Sequence, residues 1–137
     1  MRKKELAREL LISYLTENGI EYAKSRVGIN FHVDTWNFLL WHDADDPLFF
    51  RLALPGLLDV TDENYAAALM ACNMVNWNYK VAKASLYEYE ERGRRHASVW
   101  VCYEQILTSS NLEPSLPETA IKTLLGAAEY FQNVINE

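Results

Sequence analysis

Cysteine, glycine and long apolar runs are all scarce in this chain. Its two cysteines, Cys72 and Cys102, form no CxxC pair, which excludes a disulfide scaffold and a cysteine-built zinc site and points to a reducing compartment, by default the cytoplasm. Five glycines leave no glycine-rich phosphate loop, and no GxSxG elbow is present. Nucleotide-binding and α/β-hydrolase readings therefore lack their diagnostic turns. No apolar run nears the ~20 residues that span a bilayer. The basic start Met1-Arg2-Lys3-Lys4 leads into Glu5 and Glu9 instead of an apolar signal core, so a soluble protein without a membrane partner is expected. Positive charge is also short: thirteen Lys plus Arg stand against nineteen Asp plus Glu, a net charge of −6, which opposes sequence-independent binding to nucleic acid.

Metal and catalytic constellations are missing as well. His32, His42 and His96 show neither HxxxH nor HxH spacing, so no two of them are placed by sequence on one metal. Asp43, Asp45 and Asp46 resemble the opening of a calcium loop, yet Leu48 stands where the turn glycine belongs and Leu54 where the closing glutamate belongs. A solvated turn accounts for them better. Cys72 in an Ala-rich stretch and Cys102 in an apolar one read as small core residues, since a nucleophile needs an activating base beside it. No catalytic residue, metal or cofactor is assigned.

What is present is a sequence that folds. Half of its 137 residues are hydrophobic, enough for one core without staples, so residues 1–137 are read as a single domain. Leu6, Leu10, Leu11, Tyr14 and Leu15 recur at helical spacing up to Asn18-Gly19, a helix stop. The period then drops to two through Val27, Ile29, Phe31 and Val33, and strands follow from Trp36 to His42 and from Leu48 to Leu54, ended by Pro55-Gly56. Thr61 opens a second helix running to about Trp77. Two further strands, Val81–Tyr89 and Ala97–Tyr103, flank an exposed charged loop, and Ser115 with Glu118 at capping-box spacing starts a last helix. The expected fold is α+β, a five-stranded antiparallel sheet in the order α-β-β-β-α-β-β-α.

Alternation sorts the strands into two faces. One holds Val27, Ile29, Phe31, Val33, Phe38, Leu40, Phe50, Leu52, Ala84, Leu86, Val99 and Val101 and is the core face, covered by the first and last helices. The other holds Leu39, Trp41, Phe49, Tyr87, Tyr89 and Trp100 among Asn30, His32, Arg51, Lys83 and Ser85. A solvated face is more polar than this, and aromatic residues with Arg are enriched where proteins meet. Two covers stay open: the second helix crossing this face, or a second chain or client. Base stacking on the rings, with Arg51 and Lys83 on phosphates, is a further option that the net charge opposes.

The leading helix closing at Asn18-Gly19-Ile20, the meander from Val27 to Leu54 with Phe49-Phe50-Arg51-Leu52, and the Leu69, Asn73, Asn76 pattern resemble the YbjN-like proteins and, at fold level, the type III secretion chaperone-like superfamily. The resemblance covers nearly the whole chain. It implies a twisted antiparallel sheet with packed helices and a non-enzymatic binding role, since the secretion chaperones act as homodimers that hold extended client segments. The reading is thus a cytoplasmic protein-binding or chaperone-like domain, a homodimer or client binder. Its contact residues are Leu39, Trp41, Phe49, Arg51, Tyr87, Tyr89 and Trp100. The alternative is a ligand-binding or enzymatic pocket between the second helix and the sheet, using His32, Asn73 or Asn76.

Overall fold

A computed structural model describes residues 6–43 and 45–137. The basic start and Glu5 lie outside the described residues, as does Ala44 in the Asp43–Pro47 turn. The elements are α1 (Leu6–Glu17), β1 (Tyr22–Lys24), β2 (Gly28–Val33), β3 (Trp36–Trp41), β4 (Phe49–Asp59), α2 (Tyr65–Asn78), β5 (Ala82–Glu91), β6 (Arg94–Ile106) and α3 (Leu116–Ile135). Six strands, not five, form one sheet in the order β1-β2-β3-β4-β6-β5, with every neighbouring pair antiparallel. The added strand, β1, has three residues and pairs Tyr22 with Phe31. Three residues are too few to show an alternation, so only its partner reveals it.

Local chemistry explains most of the element ends. Where α1 stops, the Ile20 amide donates to the Leu15 carbonyl at 2.9 Å and the Gly19 amide to the Thr16 carbonyl at 3.2 Å. That bond pair is a Schellman cap. Thr61 does not open α2 as expected; Asn64 is its N-cap residue. Thr61 and Asn64 instead bond each other's amides, at 2.7 and 3.3 Å, which makes the stretch a closed turn ahead of the helix. Ser115 does precede α3, with proline in the first turn, but its hydroxyl makes no cap bond. The capping box therefore does not form, and the Ser115 hydroxyl turns to Glu113.

Two strand ends differ from the sequence reading in a way that shapes the far face. Pro55-Gly56 does not end the third predicted strand; β4 runs on to Asp59 with a register shift between Leu54 and Leu58. Leu54 faces Val101 and Leu58 faces Val99, so Pro55, Gly56 and Leu57 bulge opposite Trp100. Proline has no amide to give a ladder and Gly56 adopts φ 68°, so both suit a bulge. Likewise, the charged stretch around Arg92 is no long loop: β5 and β6 extend into it and turn on Arg92 and Gly93, at φ 54° and 75°.

All three helices lie on one side. Leu11 and Leu15 of α1, Ala68, Ala71 and Val75 of α2, and Ala120, Leu124, Ala128 and Phe131 of α3 join Ile29, Phe31, Phe38, Leu40, Phe50, Leu52, Leu54, Val99 and Val101 in one buried cluster. This is the predicted core face, with one correction. Val27 precedes β2 and is 55% exposed, because its backbone, whose carbonyl accepts the His42 amide at 2.8 Å, closes the strand end while its side chain faces water. Helix α2 packs against α3 and β5, with Ala68, Ala71 and Val75 in the buried cluster, so it does not cross the far face. No helix among the described residues is long and apolar enough to cross a membrane.

Candidate aromatic face

The far face carries the residues singled out by alternation, and the register explains how they meet. Trp41 on β3 lies beside Arg51 on β4, Arg51 pairs with Glu104 on β6, and Trp100 on β6 pairs with Ser85 on β5. The large rings then reach one another, Trp41 and Trp100 across β4 and Trp100 and Tyr87 between the paired strands β6 and β5. Trp41 stacks on Trp100 with centroids 5.4 Å apart, Trp100 on Tyr87 at 4.4 Å, Tyr87 on Tyr89 at 6.0 Å, and Tyr89 on His96 at 5.3 Å. The result is an aromatic row crossing from β3 to the free edge at β5. Tyr87 and Tyr89 remain 39% and 37% exposed, and Trp41 and Trp100 are half-buried.

At its β3 end the row is already occupied by charge. The Arg51 guanidinium carbon lies 3.8 Å from the Trp41 ring centroid. Its Nε stands 3.0 Å from Glu104 Oε2, and Lys83 reaches the other carboxylate oxygen. The Arg51–Glu104 contact is an ion pair by distance without hydrogen-bond alignment at Nε, so it holds charge in place more than it fixes geometry. Beneath this group lie Leu39, Ala53 and Cys102, all buried. Burial pushes the Cys102 thiol above its ordinary value, opposed by Arg51. Leu39, named as a contact residue, is 8% exposed and serves as floor. Phe49 is set apart at the mouth of a small cavity of about 190 Å³ with Trp41, His42, Asp43 and Arg51.

The β5 end is open. A cavity of about 480 Å³ is bounded by Tyr87, Tyr89 and Trp100, by Ser98 and Asp59, and by the Pro55-Gly56 bulge. Ser98 is buried and its hydroxyl accepts the Trp100 indole N–H at 2.9 Å, which fixes the indole that floors the space. Sequence reasoning missed Ser98, Asp59, Glu104 and the bulge. The Arg51–Glu104 pairing needs the β4–β6 register, which joins strands separated by a helix and another strand. The bulge did carry a signal, Pro-Gly inside an otherwise apolar strand pattern.

The pocket reading of the second helix is not assembled. Asn76 spends its amide on the sheet: Nδ2 donates to the Ala84 carbonyl at 3.0 Å and Oδ1 accepts the Ala84 amide at 2.6 Å. Asn73 is exposed and His32 lies on β2, outside α2's contacts with β5. A cavity of about 170 Å³ does sit beside the start of α2, lined by Tyr65, Leu86 and His96 among others, and His32, Asn73 and Asn76 do not line it. In the acidic turn, the Asp45 amide bonds Asp43 Oδ1 at 3.0 Å, an Asx-type turn. Among the described residues, no three His, Cys, Asp or Glu side chains are grouped to hold a metal.

Among the described residues, apolar side chains more exposed than these rings lie elsewhere. On the outer side of α2, Tyr65, Leu69, Met70 and Trp77 are 50%, 44%, 65% and 86% exposed. This helix is apolar nearly all round, so its period alone does not tell the buried side, Ala68, Ala71, Cys72 and Val75, from the outer one.

These features define an α+β protein whose helices cover one side of an antiparallel sheet and leave an aromatic row on the other. Its fold is YbjN-like. The crystal structure of YbjN from E. coli, described as a proposed transcription regulator, matches with a TM-score of 0.60 at 12% sequence identity, over 93% of this chain and 87% of that one. No protein-family model matches the chain, and no curated protein matches it in sequence.

Proposed function

We propose that this chain is a single-domain, non-enzymatic binding protein that receives a segment of another polypeptide on its aromatic sheet face. The observation that carries the reading is one-sidedness. Three helices share one face, while on the other Trp41, Trp100, Tyr87 and Tyr89 stack in a row whose outer rings stay more than a third exposed. Aromatic side chains offer large contact area for little ordering entropy, and a few of them commonly dominate an interface. The likeness to YbjN supports the scaffold, and the regulatory role described for that protein is compatible with a binding surface. A chaperone-like hold on an extended client in the cytoplasm, or pairing of two copies through the same face, are the two forms this binding takes.

Selection of peptides from a displayed random library tests the reading. Peptides enriched on the native chain are expected to lose at least tenfold in affinity for the Tyr87→Ser/Tyr89→Ser variant, whose unfolding midpoint stays unchanged. Light scattering on the same two proteins decides the homodimer form. A variant that retains every selected peptide and the native mass overturns the assignment.

A further inference from the structure

Resting on that reading, we infer that the open end of the aromatic row is a receptor for an arginine side chain of the bound polypeptide. The molecule itself supplies the pattern. At the β3 end of the row a guanidinium carbon lies over an indole, 3.8 Å from its centroid, with a carboxylate 3.0 Å from its Nε. At the β5 end the same components recur without a cation: Trp100, Tyr87 and Tyr89 form the floor and Asp59 the acid at the wall. Asp59 faces Ser98 across β4 and β6, which puts its side chain on the aromatic side, and it has no ion-pair partner among the described residues.

The occupant follows from charge and shape. No Lys or Arg lines the cavity and Asp59 is its single charge, within a chain of net charge −6, so an anionic ligand is disfavoured and a cation attracted. Trp100, Tyr87 and Tyr89, stacked at 4.4 and 6.0 Å, line the space with the aromatic carbon that their mutual stacking leaves uncovered. A planar, weakly hydrated guanidinium packs against aromatic carbon and still presents N–H groups sideways to a carboxylate, whereas an ammonium holds its water. The Pro55-Gly56 bulge opposite Trp100 forms the β4 side of the space, and Gly56, with nothing within 4 Å of its Cβ position, adds no side chain to fill it. A second copy of this chain is a poorer occupant through its own β5–β6 turn. There Arg92, Arg94 and Arg95 come with Glu88, Glu90 and Glu91.

The test uses three blocked pentapeptides, Gly-Ser-Xaa-Ser-Gly, with arginine, citrulline or lysine at the centre. Each is titrated at low salt into the 15N-labelled full chain. The arginine peptide is expected to shift the Trp100 indole N–H and the Tyr87, Tyr89 and Ser98 amides saturably, in the millimolar range of one side chain, and at least fivefold more tightly than the other two. Asp59→Asn should weaken it by roughly five- to tenfold, the size of one partly desolvated charge contact. Tyr89→Leu, which leaves Asp59 in place, should weaken it similarly. Shifts equal for arginine and citrulline, or equal for arginine and lysine, or absent, overturn the assignment. Library-selected peptides that still depend on Tyr87 and Tyr89 would then leave the broader binding role standing, so the two failures are separable.

Discussion

Gly28 is where the backbone itself decides whether the aromatic face can exist. It begins β2 directly opposite Trp41, and a Cβ built on it would stand 1.8 Å from the Leu40 carbonyl oxygen, 2.9 Å from the Leu40 carbonyl carbon and 3.2 Å from the Trp41 Cα. Ordinary contacts begin near 3.4 Å, so Gly28→Ala requires the two strands to part locally. The obstacle is backbone, which has no rotamer to escape into, and Leu40 is fully buried. Parting also disturbs two bonds at that strand end, Ser25 N–H to the Gly28 carbonyl and His42 N–H to the Val27 carbonyl, both 2.8 Å. Overpacking costs about 1–3 kcal/mol and each bond roughly 1 kcal/mol net, so a loss of about 2–4 kcal/mol is expected. Urea unfolding followed by tryptophan fluorescence measures it as a fall in midpoint at constant slope. Gly19→Ala is the contrast. Nothing lies within 4 Å of its Cβ position and φ is 66°, so conformational strain of about 1–2 kcal/mol is all it should lose. A Gly28→Ala loss under about 0.5 kcal/mol, or one no larger than that of Gly19→Ala, refutes the close approach of β2 and β3.

Asn76→Ala removes both partners of the Ala84 backbone on the edge strand β5, and a loss of about 1–2 kcal/mol is expected by the same urea assay. Its hydrogen-exchange signature is faster exchange at Ala84 and not at β6. Val81→Asn should raise stability by about 0.5–1 kcal/mol, because a β-branched residue sits at φ 64° while 51% exposed, and Asn tolerates that conformation. A fall in stability would mean that the valine makes contacts worth more than its strain. Burial lifts the Cys72 thiol from 9.0 to about 11 and also raises Cys102 and Tyr103. The folded chain therefore keeps protons that the unfolded chain has released, and stability should fall as pH rises from 9.0 towards about 11. Cys72→Ala should flatten that decline, and a slope identical to the parent's would refute the assignment. Both thiols, buried in the native chain, should react with a disulfide reagent at pH 8 only after denaturant is added.

The near face was legible because its information is local. Period-two alternation from Ile29 to Val33 and from Phe50 to Leu54 selects one side without knowledge of partners, and the Asn18-Gly19-Ile20 stop announces its own hydrogen bonds. The far face was legible only as composition. Trp41, Tyr87, Tyr89 and Trp100 share a parity, but their stacking order depends on β4 pairing with β6 across a helix and a strand, and on β6 lying between β4 and β5. Such non-local pairing leaves no short-range mark. Other differences came from competing local chemistry. Pro55-Gly56 reads as a terminator, yet the chain beyond it, Leu57-Leu58, still has Val99 to pair with; Thr61 reads as a cap, yet Asn64 is better placed to start the helix. β1, with three residues, is too short to display an alternation.

The two ends of the aromatic row differ in what they still need. Around Trp41 both cations are already engaged: Arg51 lies on the ring, and Glu104 holds Arg51 and Lys83 together above Cys102. Such a cluster gains little from a newcomer, because a partner would first have to displace an ion pair already formed. Around Trp100 the indole N–H is satisfied by Ser98, so the ring is fixed, while the space above it and the Asp59 carboxylate beside it are unspent. A fixed ring and an open carboxylate are preorganised, and preorganisation is what reduces the entropy lost when a partner docks. Substitutions at Trp41 or Glu104 should therefore act mainly on stability, and substitutions at Asp59, Tyr87 or Tyr89 mainly on binding. A peptide-affinity map in which Glu104→Gln weakens binding more than Asp59→Asn, at equal stability, would reverse that division of the face.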